Sequence, residues 1–252
     1  MQKFTPELIN KIITLLNTEI IPAEGCTEPI AIAYAAAKAT QILGKKPERM
    51  HISCSGNIIK NVKSVIVPNS GGLIGIGVSA AMGAFAGNPD KELMVISNTT
   101  PEQLIEVRAF LDKKSIHIQH ANVSDKLYIK VKLFAGNESA SVELKQRHTN
   151  ITEIMKNDQI IFQAPHEEKN TQEDPASILT IQLIYDLAKC IDIALIKNLF
   201  DKVILLNSAI ATEGLAHDYG VNIGRNIQKS IENGFYGNDT RNHSASLASA
   251  GR

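Results

Sequence analysis

From Leu73 to Phe85 the chain carries almost no side-chain bulk: Gly75, Gly77, Ala80, Ala81, Gly83 and Ala84 fall within it and Gly87 follows just beyond. A helix built from such residues gains little from its own side chains, so it persists where a second backbone approaches closely. Close helix packing is therefore the first condition the fold must meet. The glycines are a poor match to a cofactor box. No Lys-Ser or Lys-Thr follows them, and the strand-GxGxxG-helix form of a dinucleotide site is missing. The same small face suits a homodimer contact as readily as one within a single chain.

Around this segment the periodicities alternate. Leu8, Ile9, Ile12, Ile13 and Leu16 predict a helix from Pro6 to Glu19. Pro29 starts and Gly44 stops a second, alanine-rich helix. Met50 to Cys54 reads as a strand, Asn61 to Val67 as an extended or mixed segment, and Pro101 to Leu111 as a helix capped by Thr100. Period-two alternation then marks Ile116–Ile118, Leu127–Phe134 and Ala140–Leu144, with Gly136-Asn137 as a hairpin turn. Helical patterns return over 176–189, 194–216 and 221–232. The fold class expected is α+β, with helices at both ends and a small central antiparallel sheet. Residues 1–165 form the first region and the polar stretch 166–175 a linker, with 176–252 as a helical region.

Composition narrows the chemistry. The 252 residues are 44% hydrophobic, enough for one large core or two modest ones. Lys plus Arg and Asp plus Glu both number 26, and no basic stripe interleaved with aromatics appears, which argues against a nucleic-acid partner. The polar N-terminus and the lack of a long apolar run argue against a signal peptide or membrane span, leaving the cytoplasm as the expected location. Cysteines at 26, 54 and 190 are too widely spaced for a disulfide framework or a zinc-binding pair.

Three polar stretches carry the candidate chemistry. In Glu24-Gly25-Cys26-Thr27-Glu28-Pro29, Cys26 stands just ahead of a helix start, where free N–H groups and aligned peptide dipoles favour a thiolate, while Glu24 and Glu28 oppose one. In the stretch 55–61, Ser55, Asn57, Lys60 and Asn61 concentrate hydroxyl, amide and ammonium groups able to orient an amino acid, although turns also favour Asn and Gly. In Pro68-Asn69-Ser70-Gly71-Gly72, backbone N–H groups ahead of the small-residue helix offer a carboxylate cradle to which Asn69, Ser70, Gly71 and Gly72 contribute. Glu213, His217 and Asp218 share helical spacing, and Arg225 is a weaker carboxylate candidate. The dispersed histidines, among them His51, His117, His120 and His148, show no shared spacing and read as structural or solvent-facing.

These stretches in this order, EGCTEP, SGNIIKN and VPNSGGLIGIG, followed by NSAIATEGLAHDYGVNIGRNI and NHSASLASAG, resemble the L-cysteine desulfidase family, related to the serine dehydratase alpha chain. The resemblance implies a pyridoxal-independent lyase that converts cysteine to pyruvate, ammonia and sulfide with the help of an iron–sulfur cluster. It places Cys26 at the family's N-terminal cysteine, either as base or as cluster ligand. Members continue past the ASAG stretch into a segment with the remaining cluster cysteines. The resemblance therefore implies a truncated chain that lacks the cluster and is inactive or impaired by itself. A serine deaminase of the same chemistry and a silent amino-acid-binding or partner-binding module are the competing expectations.

Overall fold

The chain is an α+β protein, described by a computed structural model over residues 4–165, 175–237 and 244–247. The linker expected at 166–175 lies outside the described residues, apart from Pro175. Most of the NHSASLASAG stretch also lies outside them. Two compact units divide the chain, one formed by residues 22–170 and the other by residues 1–21 together with 171–252.

In the unit of residues 22–170, α2 (Thr27–Leu43) is buried over most of its surface, as an alanine-rich helix without a polar face should be. It lies between the sheet and α4 (Ile76–Ala86). The small residues of α4 serve that contact. A Cβ at Gly83 would lie 2.0 Å from the Ala33 carbonyl oxygen and 2.6 Å from its Cα, so the two backbones touch where Gly83 has no side chain. α4 thus packs its small face within this chain. α5 (Pro101–Asp112) lies against α4, and Thr100 with Gln103 closes a capping box at its start.

The sheet has six strands in the order β2-β1-β3-β4-β5-β6. They are β1 (Arg49–Cys54), β2 (Ile116–His120), β3 (Tyr128–Ala135), β4 (Glu138–Lys145), β5 (Ile151–Lys156) and β6 (Gln159–Gln163). All neighbours are antiparallel except β1 and β2, so the sheet is mixed rather than purely antiparallel. The reason is the connection, since a parallel pair needs a long crossover and the helices between β1 and β2 provide one. Met50, Ile52, Cys54, Ile129, Val131 and Leu133 turn one face of the sheet to the core. His51, Lys130 and Lys132 alternate with them on the other face.

Two local expectations change. The stretch predicted as a loop and then an extended segment forms α3 (Gly56–Val62), with Ile58 and Val62 buried; extended structure is limited to a bridge between Ile66 and Ile74. The second change is at β5 and β6, which the alternation does not reveal. Their turn uses Asn157 and Asp158, both with left-handed backbone (φ 50° and 63°), the geometry of a tight two-residue hairpin.

In the other unit, Ile12 of α1 (Pro6–Glu19) packs with Leu183 and Leu187 of α6 (Ile181–Cys190). α7 (Lys197–Ala216) and α8 (Ile223–Glu232) complete its main helices.

Candidate functional site

Cys26 is the N-cap residue of the 17-residue helix α2, and its side chain makes no capping hydrogen bond. The thiol is exposed. Glu24 and Glu28 lie on either side of it in sequence, and each glutamate is held by an asparagine from one of the other two stretches. Asn69 donates its side-chain amide to Glu24 Oε2 at 3.0 Å. Asn61 donates to Glu28 Oε1 at 3.1 Å. The three polar stretches, separated in sequence by up to 45 residues, thus meet at the turn that presents Cys26.

The glutamates differ in setting. Glu24 Oε1 also accepts from the Ile96 backbone N–H at 3.0 Å, and the Glu24 N–H donates to the Leu93 carbonyl at 3.2 Å. Burial pushes the Glu24 carboxyl above its ordinary value, against the hydrogen bonds from Ile96 and Asn69 and the charge of Lys91. Glu24 fastens the turn to the body of the unit. Glu28 Oε2 instead lies 3.5 Å from the hydroxyl of Thr27, the first residue of α2.

That hydroxyl leads to a residue the sequence did not single out. His148, in the turn between β4 and β5, brings Nε2 to 3.1 Å from Thr27 Oγ1. Burial lowers its pKa, outweighing the opposing effect of Glu28, so the imidazole is neutral near pH 7 and able to accept a proton. Arg108 is a second such residue. It is exposed on α5 and donates to the Gly71 carbonyl at 3.4 Å, placing a guanidinium beside the expected carboxylate cradle. No spacing pattern links either residue to the motifs they meet, 121 residues away for His148 and 37 for Arg108.

The remaining sequence candidates separate into two groups. Asn57 and Lys60 are exposed on α3. Ser55 and Ser70 are buried, with hydroxyls committed to the backbone: Ser55 donates to the Lys126 carbonyl at 2.7 Å and Ser70 to Val67 at 2.7 Å. Ser70 also accepts from the Leu73 N–H at 2.9 Å, which fixes the turn. Asn69, Gly71 and Gly72 all have left-handed backbone there. The turn ends before α4 begins at Ile76, so it is not the helix start itself, and the Ser70 N–H within it donates to the Val67 carbonyl at 3.3 Å. In the other unit, His217 and Tyr219 both bond to Glu213, and Asp218 pairs with Arg225.

Two further features bear on the chemistry. The cleft of about 400 Å³ formed by Ala37, Thr40, Gln41 and Gly44 of α2 and its C-cap, with Ala84 and Gly87, contains none of these residues. It lies toward the other end of α2, roughly 16 to 27 Å from Cys26 at 1.5 Å of rise per residue. As for the iron–sulfur cluster, the described residues hold no group of three or more His, Cys, Asp or Glu able to bind a metal. Cys54 is sealed in the core and burial pushes its thiol up to about 12, while Cys190 belongs to the other unit. The described residues do not fit a cluster.

No family model and no solved structure matches this chain. Its curated relatives include a protein of Fusobacterium nucleatum named UPF0597 protein, 53% identical over 247 residues. The chain is similar to UPF0597 proteins. The Fusobacterium match covers 96% of this chain and 57% of the relative. A UPF0597 protein of Lachnoclostridium phytofermentans is 36% identical over 97% of this chain and 57% of its own length, and one of Desulfitobacterium hafniense 37% identical over 95% and 55%. The chain therefore spans a little over half the length of these relatives. Their names correct the expected L-cysteine desulfidase membership: each bears the UPF0597 name, which states no activity, and none bears a desulfidase name. Among the described residues no helix is long and apolar enough to cross a membrane.

Proposed function

We propose that residues 22–170 bind a small amino acid beside Cys26 and take part in its α,β-elimination as a carbon–sulfur lyase, cysteine being the substrate. The observation that carries this reading is the convergence of three polar stretches on one exposed thiol, through the Glu24–Asn69 and Glu28–Asn61 hydrogen bonds. The amino acid's carboxylate faces the start of α2, where the helix dipole favours an anion, with Arg108 and Lys60 as the cationic groups near the adjoining stretches.

Elimination needs a base for the α-proton and a route out for the β-sulfur. Cys26 as thiolate, or the neutral imidazole of His148 next to Thr27, takes the α-proton. The electron pair of the Cα–H bond forms the Cα–Cβ double bond as the Cβ–S bond breaks, and sulfide leaves. The aminoacrylate left behind takes up water and releases ammonia and pyruvate. Serine fits the same site with water as the leaving group. The three free cysteines accord with a reducing, cytoplasmic setting.

Calorimetry with cysteine and with serine, alongside assays of sulfide and pyruvate, tests the reading. Cysteine binding that is weakened in Asn61→Ala, with sulfide release lost in Cys26→Ser, is the expected result. Binding without release of either product would make this an amino-acid-binding module. Failure to bind either amino acid would end the proposal.

A further inference from the structure

The sheet face opposite the core carries, at its β1–β2 edge, a pair of histidines that the amino-acid site does not use. His51 in β1 and His117 in β2 are direct partners in the register of the two parallel strands, and both are exposed. Their ring centroids are 5.4 Å apart with the rings at 63°, one edge toward the other. Two imidazoles bound to one tetrahedral ion through bonds of about 2.1 Å have ring centres about 5 Å apart, so the spacing of the pair matches that of two imidazoles on one metal.

The surroundings leave the pair available. Two cations flank it, and both have partners: Arg49 lies over the Phe134 ring at 4.8 Å, and Lys132 is paired with Asp158 at 2.6 Å. Phe134 also packs edge-on against His51 at 4.9 Å, restricting that ring's freedom before any ligand arrives. Partial burial, with His117, Arg49 and Lys132 beside it, lowers the pKa of His51.

We propose that His51 and His117 form a two-imidazole site for a borderline divalent transition ion, of the class of Zn²⁺, Ni²⁺ or Cu²⁺, with water completing the coordination shell. Imidazole is the ligand type these ions share, and the open positions distinguish the site from a closed structural zinc centre. The site is independent of the amino-acid reading, since both residues lie on the sheet face opposite the core.

The test is titration of the chain with NiCl2, in a background where Cys26→Ser and Cys190→Ser remove the exposed thiols. One ion per chain is expected, with affinity reduced about tenfold or more in His51→Gln and in His117→Gln alike. NMR of the otherwise unaltered chain titrated with ZnCl2 provides a readout that requires neither histidine variant to fold, the ring signals of His51 and His117 being the first to move. Absence of binding, binding that survives either substitution, or first movement of other histidine signals would overturn the assignment.

Discussion

Asn69 reaches across 45 residues of sequence to donate its side-chain amide to Glu24, and in doing so ties the turn before α4 to the turn that presents Cys26. Glu24 is the centre of this arrangement because its other carboxylate oxygen accepts the Ile96 N–H. Removing the carboxylate leaves that partly buried N–H without its partner. Glu24→Ala is therefore expected to cost about 1–3 kcal/mol in urea unfolding.

The pH dependence of the same residue has a definite sign. Burial raises the folded-state pKa of Glu24 above its ordinary value of 4.5, so the folded chain holds this proton more tightly than the unfolded chain. Its contribution to stability is fully present below pH 4.5 and is lost as pH rises through the raised folded value. Glu24→Gln removes that loss and retains an acceptor for Ile96. The difference in unfolding free energy between the Glu24→Gln variant and its parent should shift in the variant's favour as pH rises across this window, whereas an unchanged difference would show that Glu24 titrates alike in both states.

Helix packing supplies the largest expected effect. Gly83→Ala places a methyl group on the Ala33 backbone, where there is no flexible side chain to give way, and a loss of at least about 3 kcal/mol is expected. Gly44→Ala is the control. A Cβ there meets nothing within 4 Å, so only the strain of its positive φ (79°) remains, about 1 kcal/mol. Equal thermal destabilisation of the two variants would contradict the close approach of α2 and α4.

How far the sequence led depends on how local each determinant was. α2 and α4 were legible because both are rich in small residues with few polar ones between them, a composition that lets two helix backbones approach closely, and Gly83 against Ala33 is that contact. The parallel pairing of β1 with β2 was not legible, since the direction of a pair separated by three helices depends on the path of the chain. Nor was α3, whose Asn57 and Asn61 suggest a turn until the burial of Ile58 and Val62 outweighs that preference. At the site, the roles of Glu24 and Glu28 as acceptors for Asn69 and Asn61 come from tertiary placement. His148 was hidden because its partner Thr27 is 121 residues away, with no shared period to link them.

The cysteines should separate by reactivity. Cys26 and Cys190 are exposed, whereas Cys54 is fully buried and its thiol is pushed up to about 12. A thiol reagent at pH 8 is expected to modify two groups in the folded protein and the third only after denaturation. Fast modification of all three would place Cys54 outside the core and displace β1 from its position between β2 and β3.

His148 links the site to pH most directly. Burial lowers its pKa below 6.5, outweighing the pull of Glu28, so its stabilising contribution is present above pH 6.5 and is lost as pH falls through the lower folded value. If the neutral imidazole beside Thr27 takes the α-proton, sulfide release follows the same limb: activity is full above pH 6.5 and declines on the acid side as His148 gains its proton. His148→Gln preserves a hydrogen-bonding partner for Thr27 but cannot carry the proton. It should lower the turnover rate by about 100-fold, within the usual range for loss of a general base, and abolish the acid limb without a matching loss of cysteine binding. Retention of the limb in the variant, with turnover near the parent value, would assign proton removal to Cys26 and leave His148 as a support for the start of α2.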